Sequence, residues 1–239
     1  MDEPKGAAPM GPLAALLAHA IDYAGLYPPA SLSLEQTCAN YSAYLASPEC
    51  WILNRLVLPL PRLRLGEGWR ISLIVECEPG PQPPQVETFE TRLAHRLSLP
   101  TYCEAPLESI ADGFAKIRTA DIDSARMADF LYAAAARRLP FKATAGLHHA
   151  IRSEAMHGFL NVLAAAVFAW YGAGREILLA LLDERDAQAF DFSADALCWR
   201  GHAFSTAQIR AARRDFVHSF GSCSFEEPVT DLRALELLP

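Results

Sequence analysis

Lysine is rare in this chain, and its positions suggest chemistry. Only three of the 21 basic residues are lysine, and two of them, Lys116 and Lys142, lie within apolar segments. A lysine that loses its proton in a buried site can act as a nucleophile or a base, whereas the charge of arginine is fixed. The two lysines therefore indicate covalent or acid–base chemistry, although they do not identify a substrate.

The surroundings of Lys142 favour it as a reactive amine. Small residues and Gly146 follow it and leave room for a ligand. In an apolar pocket beside the charge of Lys116, the pKa of Lys142 is predicted to fall, so that the neutral amine could attack a carbonyl. Glu104 and Asp22 are the candidate proton carriers. The alternative is that each lysine only forms a structural ion pair with a neighbouring carboxylate such as Glu104.

Other polar residues are predicted to reach the same place. A small hydroxyl-rich turn, residues 221–225, could hold a phosphate through backbone N–H groups and hydroxyls, or its glycine could simply end a helix. The wider set of strand-end charges includes Glu76 and either Glu87 or Glu90. The candidate substrate-binding residues are Arg118, Thr144, His148, His149, His157, Gly221, Ser222 and Ser224.

Short strands separated by turns run along the whole chain. Patterns typical of helices fall between several of them, notably over residues 33–46 and 123–138, where apolar side chains recur at helical spacing. The predicted strands are residues 19–25, 55–59, 70–76, 85–92, 101–105, 113–119, 140–145 and 217–222.

Strands that alternate with helices predict an α/β fold of parallel units, and this number of strands favours a (β/α)8 TIM-barrel-like domain. An open doubly wound sheet is the alternative, but no glycine-rich turn follows the first strand. Residues 150–216 exceed what a minimal barrel needs. They are predicted to form an insertion of helices and a hairpin between strands seven and eight that acts as a lid. Residues 1–239 are predicted to be one domain, with residues 1–10 disordered.

The composition limits the classes of partner that this protein is expected to bind. The net charge is −7, and no basic stripe with interleaved aromatic residues is present, which argues against nucleic acid. No uncharged apolar run reaches the roughly 18 residues of a membrane span. The six cysteines are scattered without metal-site spacing, which is typical of reduced thiols in the cytoplasm. A small molecule, anionic in one version of the hypothesis, is the expected partner, and a homo-oligomer is compatible with the sequence.

Three segments resemble, in order, the motifs of class I aldolases of the deoxyribose-phosphate aldolase type. They are residues 115–120 (Ala-Lys-Ile-Arg-Thr-Ala), 141–146 (Phe-Lys-Ala-Thr-Ala-Gly) and 220–224 (Phe-Gly-Ser-Cys-Ser). The resemblance implies a barrel in which the strand-six lysine, Lys116, forms the Schiff base, but the small surroundings of Lys142 suit that role equally. Arg118, the paired histidines and the insertion depart from the family pattern.

A second resemblance covers nearly the whole chain and is to a group of uncharacterised bacterial proteins. It implies a bacterial cytoplasmic protein and indicates no mechanism. The segments that carry it are residues 22–29, 115–119, 141–149, 157–161 and 221–228.

The leading hypothesis is a Schiff-base-forming lyase without a cofactor that acts on a small carbonyl compound, which is phosphorylated in one version of the hypothesis. One of Lys116 and Lys142 would form the imine and the other would lower its pKa, while Arg118 and the serines of the turn would hold an anionic group. A second hypothesis is a metal-dependent hydrolase or isomerase that uses His148, His149 and His157 with a carboxylate, although their spacing matches no named motif. A third is a non-catalytic barrel whose lysines are counter-charges for a bound anion.

Overall fold

Eight parallel strands close into a barrel in the computed structural model, which describes residues 11–120, 122–154, 156–193 and 195–239. The α/β, TIM-barrel-like prediction is confirmed; the predicted disorder of residues 1–10 lies outside the described residues. The barrel strands are β1 (Ile21–Tyr23), β2 (Leu53–Pro59), β3 (Ile71–Ile74), β4 (Val86–Thr91), β5 (Thr101–Cys103), β6 (Phe114–Arg118), β7 (Phe141–Thr144) and β11 (Val217–Ser222). Around the barrel their order is β1, β11, β7, β6, β5, β4, β3, β2.

Helices cover only part of the barrel. The connections from β2 to β6, residues 60–70, 75–85, 92–100 and 104–113, hold loops and single 3₁₀ turns instead. Each of these connections is short and contains proline, which interrupts helices. The helices are α1 (Pro12–Leu17), α2 (Leu34–Leu45), α3 (Ser124–Ala136), α4 (Phe159–Trp170), α5 (Arg175–Leu182), α6 (Thr206–Asp215) and α7 (Glu226–Ala234).

The predicted insertion between the last two barrel strands is present. It holds α4, α5 and α6 together with a small antiparallel sheet of β8 (Phe190–Asp191), β9 (Ala196–Trp199) and β10 (His202–Ser205). Helix α4 is apolar on nearly all sides because it is buried: Phe159 stacks on Phe220 of β11, and Phe168 packs edge-on against Trp199 of the small sheet. Within the part of the chain that the structure describes, none of the helices combines the length and the hydropathy needed to span a bilayer.

The interior of the barrel is unusually polar. Barrels of this type are normally filled by layers of branched apolar side chains. Here, buried polar side chains from seven of the eight strands meet in one hydrogen-bonded network, and Lys116 on β6 lies directly beside Lys142 on β7 in the strand register. The members of this network are Asp22, Asn54, Ser72, Thr88, Glu90, Lys116, Lys142 and Ser219.

Candidate active site

Lys142 is buried inside the barrel between two carboxylates. Its Nζ lies 2.5 Å from Asp22 Oδ2 and 2.6 Å from Glu90 Oε1, and its side chain is fully buried. The ring of Tyr102 lies on a third side, with its centroid 5.4 Å from Nζ. Lys142 is therefore held as an ammonium ion whose charge is fully paired.

The predicted fall in the pKa of Lys142 is wrong. Burial lowers this pKa, but the charges of Asp22 and Glu90 and the hydrogen bonds to them outweigh burial, so that the pKa is raised above its ordinary value. Burial alone would raise the pKa of Glu90, but the charges of the two lysines outweigh burial and hold this pKa far below its usual range. Buried Lys142 is thus a poor resting nucleophile, and Glu90 stays ionised.

Lys116 lies in a less enclosed position. Its Nζ is 3.0 Å from Glu90 Oε2 and 3.1 Å from Glu104 Oε2, so the predicted ion pair with Glu104 is present. The side chain of Lys116 is 11% exposed and that of Glu104 is 24% exposed, whereas Glu90 is only 2% exposed. Glu90 therefore joins the two lysines, one on each oxygen, and Glu104 lies on the solvent side.

Hydroxyl and amide groups complete the network around the carboxylates of Asp22 and Glu90. Asp22 accepts hydrogen bonds from Asn54 Nδ2 and Ser219 Oγ, both at 2.7 Å. Ser72 donates to Glu90 at 2.8 Å and accepts from Thr88 at 2.9 Å. Among the described residues, the only buried side-chain polar atoms without a partner belong to Thr37 and Arg213, outside this network. The charges in the barrel are thus held in a fixed arrangement.

Two adjoining cavities reach the lysines from the carboxyl ends of the strands. The inner cavity has a volume of about 210 Å³, and both Lys116 and Lys142 line it. The outer cleft, of about 510 Å³, is lined by Lys116 and Glu104 but not by Lys142. Lys116 therefore stands where the two cavities meet, and the inner cavity suits a small molecule rather than a drug-sized one. Among the described residues, none from the insertion lines either cavity, and its role as a lid stays a prediction.

Four of the predicted substrate-binding residues line the inner cavity, and the others lie elsewhere or have local partners. Ser222 Oγ accepts from the backbone N–H of Ser224, whose own Oγ accepts from the N–H of Glu227 at the start of α7. These hydroxyls therefore already accept hydrogen bonds from backbone N–H groups, and their role in holding an anion stays a prediction. The four that line the cavity are Arg118, Thr144, His148 and Gly221.

The three histidines do not come together as a metal site. His149 contacts Asp231, and His157 lies at the start of α4, where its Nε2 donates to the carbonyl oxygen of Ile122. His148 alone reaches the cavity. In the described ranges, no group of three or more His, Cys, Asp or Glu side chains is placed to hold a metal ion. The histidines thus give the metal-dependent hypothesis no geometric support.

Cys223 and His148 form one wall of the inner cavity. The Sγ atom lies 3.9 Å from His148 Nδ1, which is 3.0 Å from Glu227 Oε2. Burial raises the pKa of the Cys223 thiol, and the charge of Glu227 adds to this rise. The thiol is therefore protonated at neutral pH and is a poor nucleophile at rest.

The central position of Glu90 could not be read from the sequence, where it was one of two options beside Glu87. Glu87 instead pairs with Arg55 and Arg70 at the other end of the barrel. Ser72 and Ser219 were missed altogether. A usable signal existed for Ser72, which is the one polar residue of an otherwise apolar strand, and Thr88 and Glu90 alternate on one face of β4.

Comparison of the chain with protein-family models, curated proteins and solved structures gives no match. The function must therefore be inferred from the geometry of the site alone.

Proposed function

We propose that this protein is an aldolase-like lyase in which Lys116 forms an imine with a small carbonyl compound. The observation that carries the proposal is the position of Lys116 Nζ, between Glu90 and Glu104 and at the junction of the inner cavity and the outer cleft. Lys142 cannot be approached as easily, because it is fully buried and bonded to two carboxylates. These facts support Lys116 over Lys142 as the amine that attacks.

The two carboxylates around Lys116 suit both stages of imine formation. Glu104 takes a proton from the ammonium of Lys116, and the neutral amine attacks the carbonyl carbon. Glu104 then returns this proton to the hydroxyl of the resulting carbinolamine, which leaves as water and gives a positively charged iminium. Glu90 and Glu104, whose oxygens lie 3.0 and 3.1 Å from Nζ of the resting ammonium, stabilise this cation.

Lys142 acts as a positioning residue in this scheme. Its ammonium occupies Oε1 of Glu90, so that only Oε2 remains for Lys116. Because Lys142 keeps Glu90 ionised, Glu104 is the carboxylate left to exchange protons with the substrate. Arg118 lines both cavities beside Lys116 and is placed to hold an anionic group of the substrate, such as a phosphate or a carboxylate.

Once the iminium has formed, its acidic α-carbon proton can pass to Glu104 and give an enamine. In heavy water this step replaces α-hydrogens of the substrate with deuterium, even when no second substrate is present. We expect the folded protein to catalyse this exchange for at least one member of a panel of small aldehydes, ketones and their phosphates, as followed by proton NMR.

The control for this exchange is the same protein after unfolding, which presents the same number of amines without their arrangement. Exchange no faster than in this control for every compound would contradict the proposal. It would favour the non-catalytic barrel, in which the lysines only bind an anion.

A further inference from the structure

A further cavity lies at the opposite end of the barrel from the inner cavity and the outer cleft. It has a volume of about 770 Å³ and is formed by the amino-terminal ends of the strands, the loops before them, and helices α1 and α6. Neither Lys116 nor Lys142 lines it. Its charged or titratable lining residues are His19, Arg55, Arg70, Glu87, Tyr102, Arg210, Arg213, Arg214 and His218.

Positive charge is concentrated in this cavity although the chain as a whole carries a net charge of −7. Glu87 is the only lining carboxylate, and Arg55 and Arg70 share it, each through an Nε–O contact of 2.8 Å. Arg214 pairs with its neighbour Asp215. Five guanidinium groups thus face two carboxylates, which leaves an excess of three positive charges.

Two of these arginines have no carboxylate partner among the described residues. Arg213 donates to the carbonyl oxygens of Val217 and Ala18, at 2.5 and 3.0 Å, and its Nε is buried without a partner. Burial lowers the pKa of Arg213 to about 10, and the nearby Tyr102 and Asp22 offset this lowering only in part. Arg210 lies on the same helix, is exposed, and forms no ion pair in the described ranges. The part-buried charge of Arg213, which has no carboxylate partner within the described part of the chain, is costly unless an anion compensates it.

The remaining wall of the cavity is apolar and aromatic. The rings of Tyr102 and Phe114 lie 5.3 Å apart, and that of His218 lies 4.9 Å from Phe114. The Tyr102 hydroxyl is hydrogen-bonded to His218 Nδ1 at 2.9 Å, and alanines of α1 also line the cavity. The lining therefore combines charged donors with aromatic and alanine carbon surface.

We propose that this arginine-lined cavity binds a small phosphorylated anion at a site separate from the lysine site. The planar guanidinium group donates two parallel hydrogen bonds to phosphate oxygens, and several such groups converge here. The aromatic wall suits a compound whose phosphate is attached to an organic portion. The volume lies within the range of small-molecule sites.

Isothermal titration calorimetry with pyrophosphate and with adenosine monophosphate tests this proposal at an ionic strength of about 0.15 M. We expect saturable binding of one ligand per chain for at least one of the two. Arg210→Gln, which changes an exposed residue and leaves the barrel intact, is expected to weaken binding about tenfold, since a hydrogen bond to a charged group is lost. Arg126→Gln, an exposed arginine on α3, is the matched control and should leave the dissociation constant unchanged.

A Lys116→Met variant separates this site from the lysine site, and it is expected to bind the anion as the unaltered protein does. Loss of binding in Lys116→Met would overturn the proposal, because it would mean that the anion binds in the inner cavity or the outer cleft. The proposal would also be overturned if neither probe showed saturable binding. Equal weakening of anion binding by Arg210→Gln and Arg126→Gln would overturn it as well.

Discussion

Replacing Lys142 with methionine is expected to lower the free energy of unfolding by about 3–5 kcal/mol, because removing one member of a buried ion pair leaves uncompensated charge. Lys142 has no exposed surface, and its loss leaves the buried carboxylate of Asp22 without an ammonium partner and Glu90 with Lys116 alone. Lys116→Met is the matched comparison on the adjacent strand. It should cost less, because Glu90 keeps Lys142 and Glu104 remains open to solvent. Urea unfolding at neutral pH measures both.

The pH dependence of stability should differ between the two proteins. In the unaltered protein the pKa of Glu90 is held below its usual range, so its contribution is present above pH ~4.3 and is lost as the pH falls further. In Lys142→Met, Glu90 keeps Lys116 but loses the charge of Lys142, so its pKa is expected to rise towards the unfolded value. The stability of that variant should therefore fall less than that of the unaltered protein as the pH drops below about 4.3. A loss below about 1 kcal/mol, with parallel pH profiles, would contradict the buried network.

Replacing Glu104 with glutamine is expected to slow deuterium exchange of the substrate's α-hydrogens by about 10²–10⁴-fold, the usual contribution of a general base. Glu104 is the one carboxylate beside Lys116 that is both partly exposed and separate from Lys142. The amide keeps the size of the side chain but cannot accept the proton. NMR exchange rates, measured with the substrate identified for the unaltered protein, give this ratio.

Glu76→Gln is the control for this substitution. Glu76 also lines the outer cleft and is exposed, but no contact joins it to Lys116. We expect the Glu76→Gln variant to catalyse deuterium exchange at the rate of the unaltered protein. Trapping of the imine should still occur on Lys116 in Glu104→Gln, since the amine is intact, but it should be slower because the group that takes its proton is lost. Equal exchange rates in Glu104→Gln and in the unaltered protein would remove Glu104 from the mechanism.

The strands were predictable from the sequence because short apolar runs bounded by turn residues identify them locally. All eight barrel strands lie at the predicted positions, to within a few residues at their ends. The connections from β2 to β6 were less predictable, since a parallel barrel leads one to expect helices where proline-containing loops occur. Helices α1 and α7 are short and were not predicted: α1 is a run of six apolar residues without a polar face to mark helical periodicity, and α7 has only nine residues.

The site was predictable only in part, since its energetics depend on contacts between distant residues. The sequence identified Lys116 and Lys142 and suggested Glu104 beside one of them. The pKa of Lys142 was misjudged because its partners, Asp22 and Glu90, lie 120 and 52 residues away along the chain. No local pattern predicts that these two carboxylates meet one amine.

The arginine-lined cavity could not be predicted for the same reason. Its arginines extend from Arg55 to Arg214 and form no cluster in the sequence, apart from those on α6. They converge only because α6 leads into β11, whose amino-terminal end lies at the same end of the closed barrel as those of β2 and β3. Closure of the barrel is therefore what creates both the lysine network and the cavity opposite it.

The measurement that tests the central claim most directly is reduction with borohydride in the presence of small aldehydes, ketones and their phosphates, followed by intact mass and peptide mapping. We predict a single adduct on Lys116 that is absent from Lys116→Met, and no adduct on Lys142. An adduct on Lys142 would reverse the roles of the two lysines. Labelling of the folded protein no greater than that of the unfolded protein, across the whole panel, would contradict imine chemistry in this barrel.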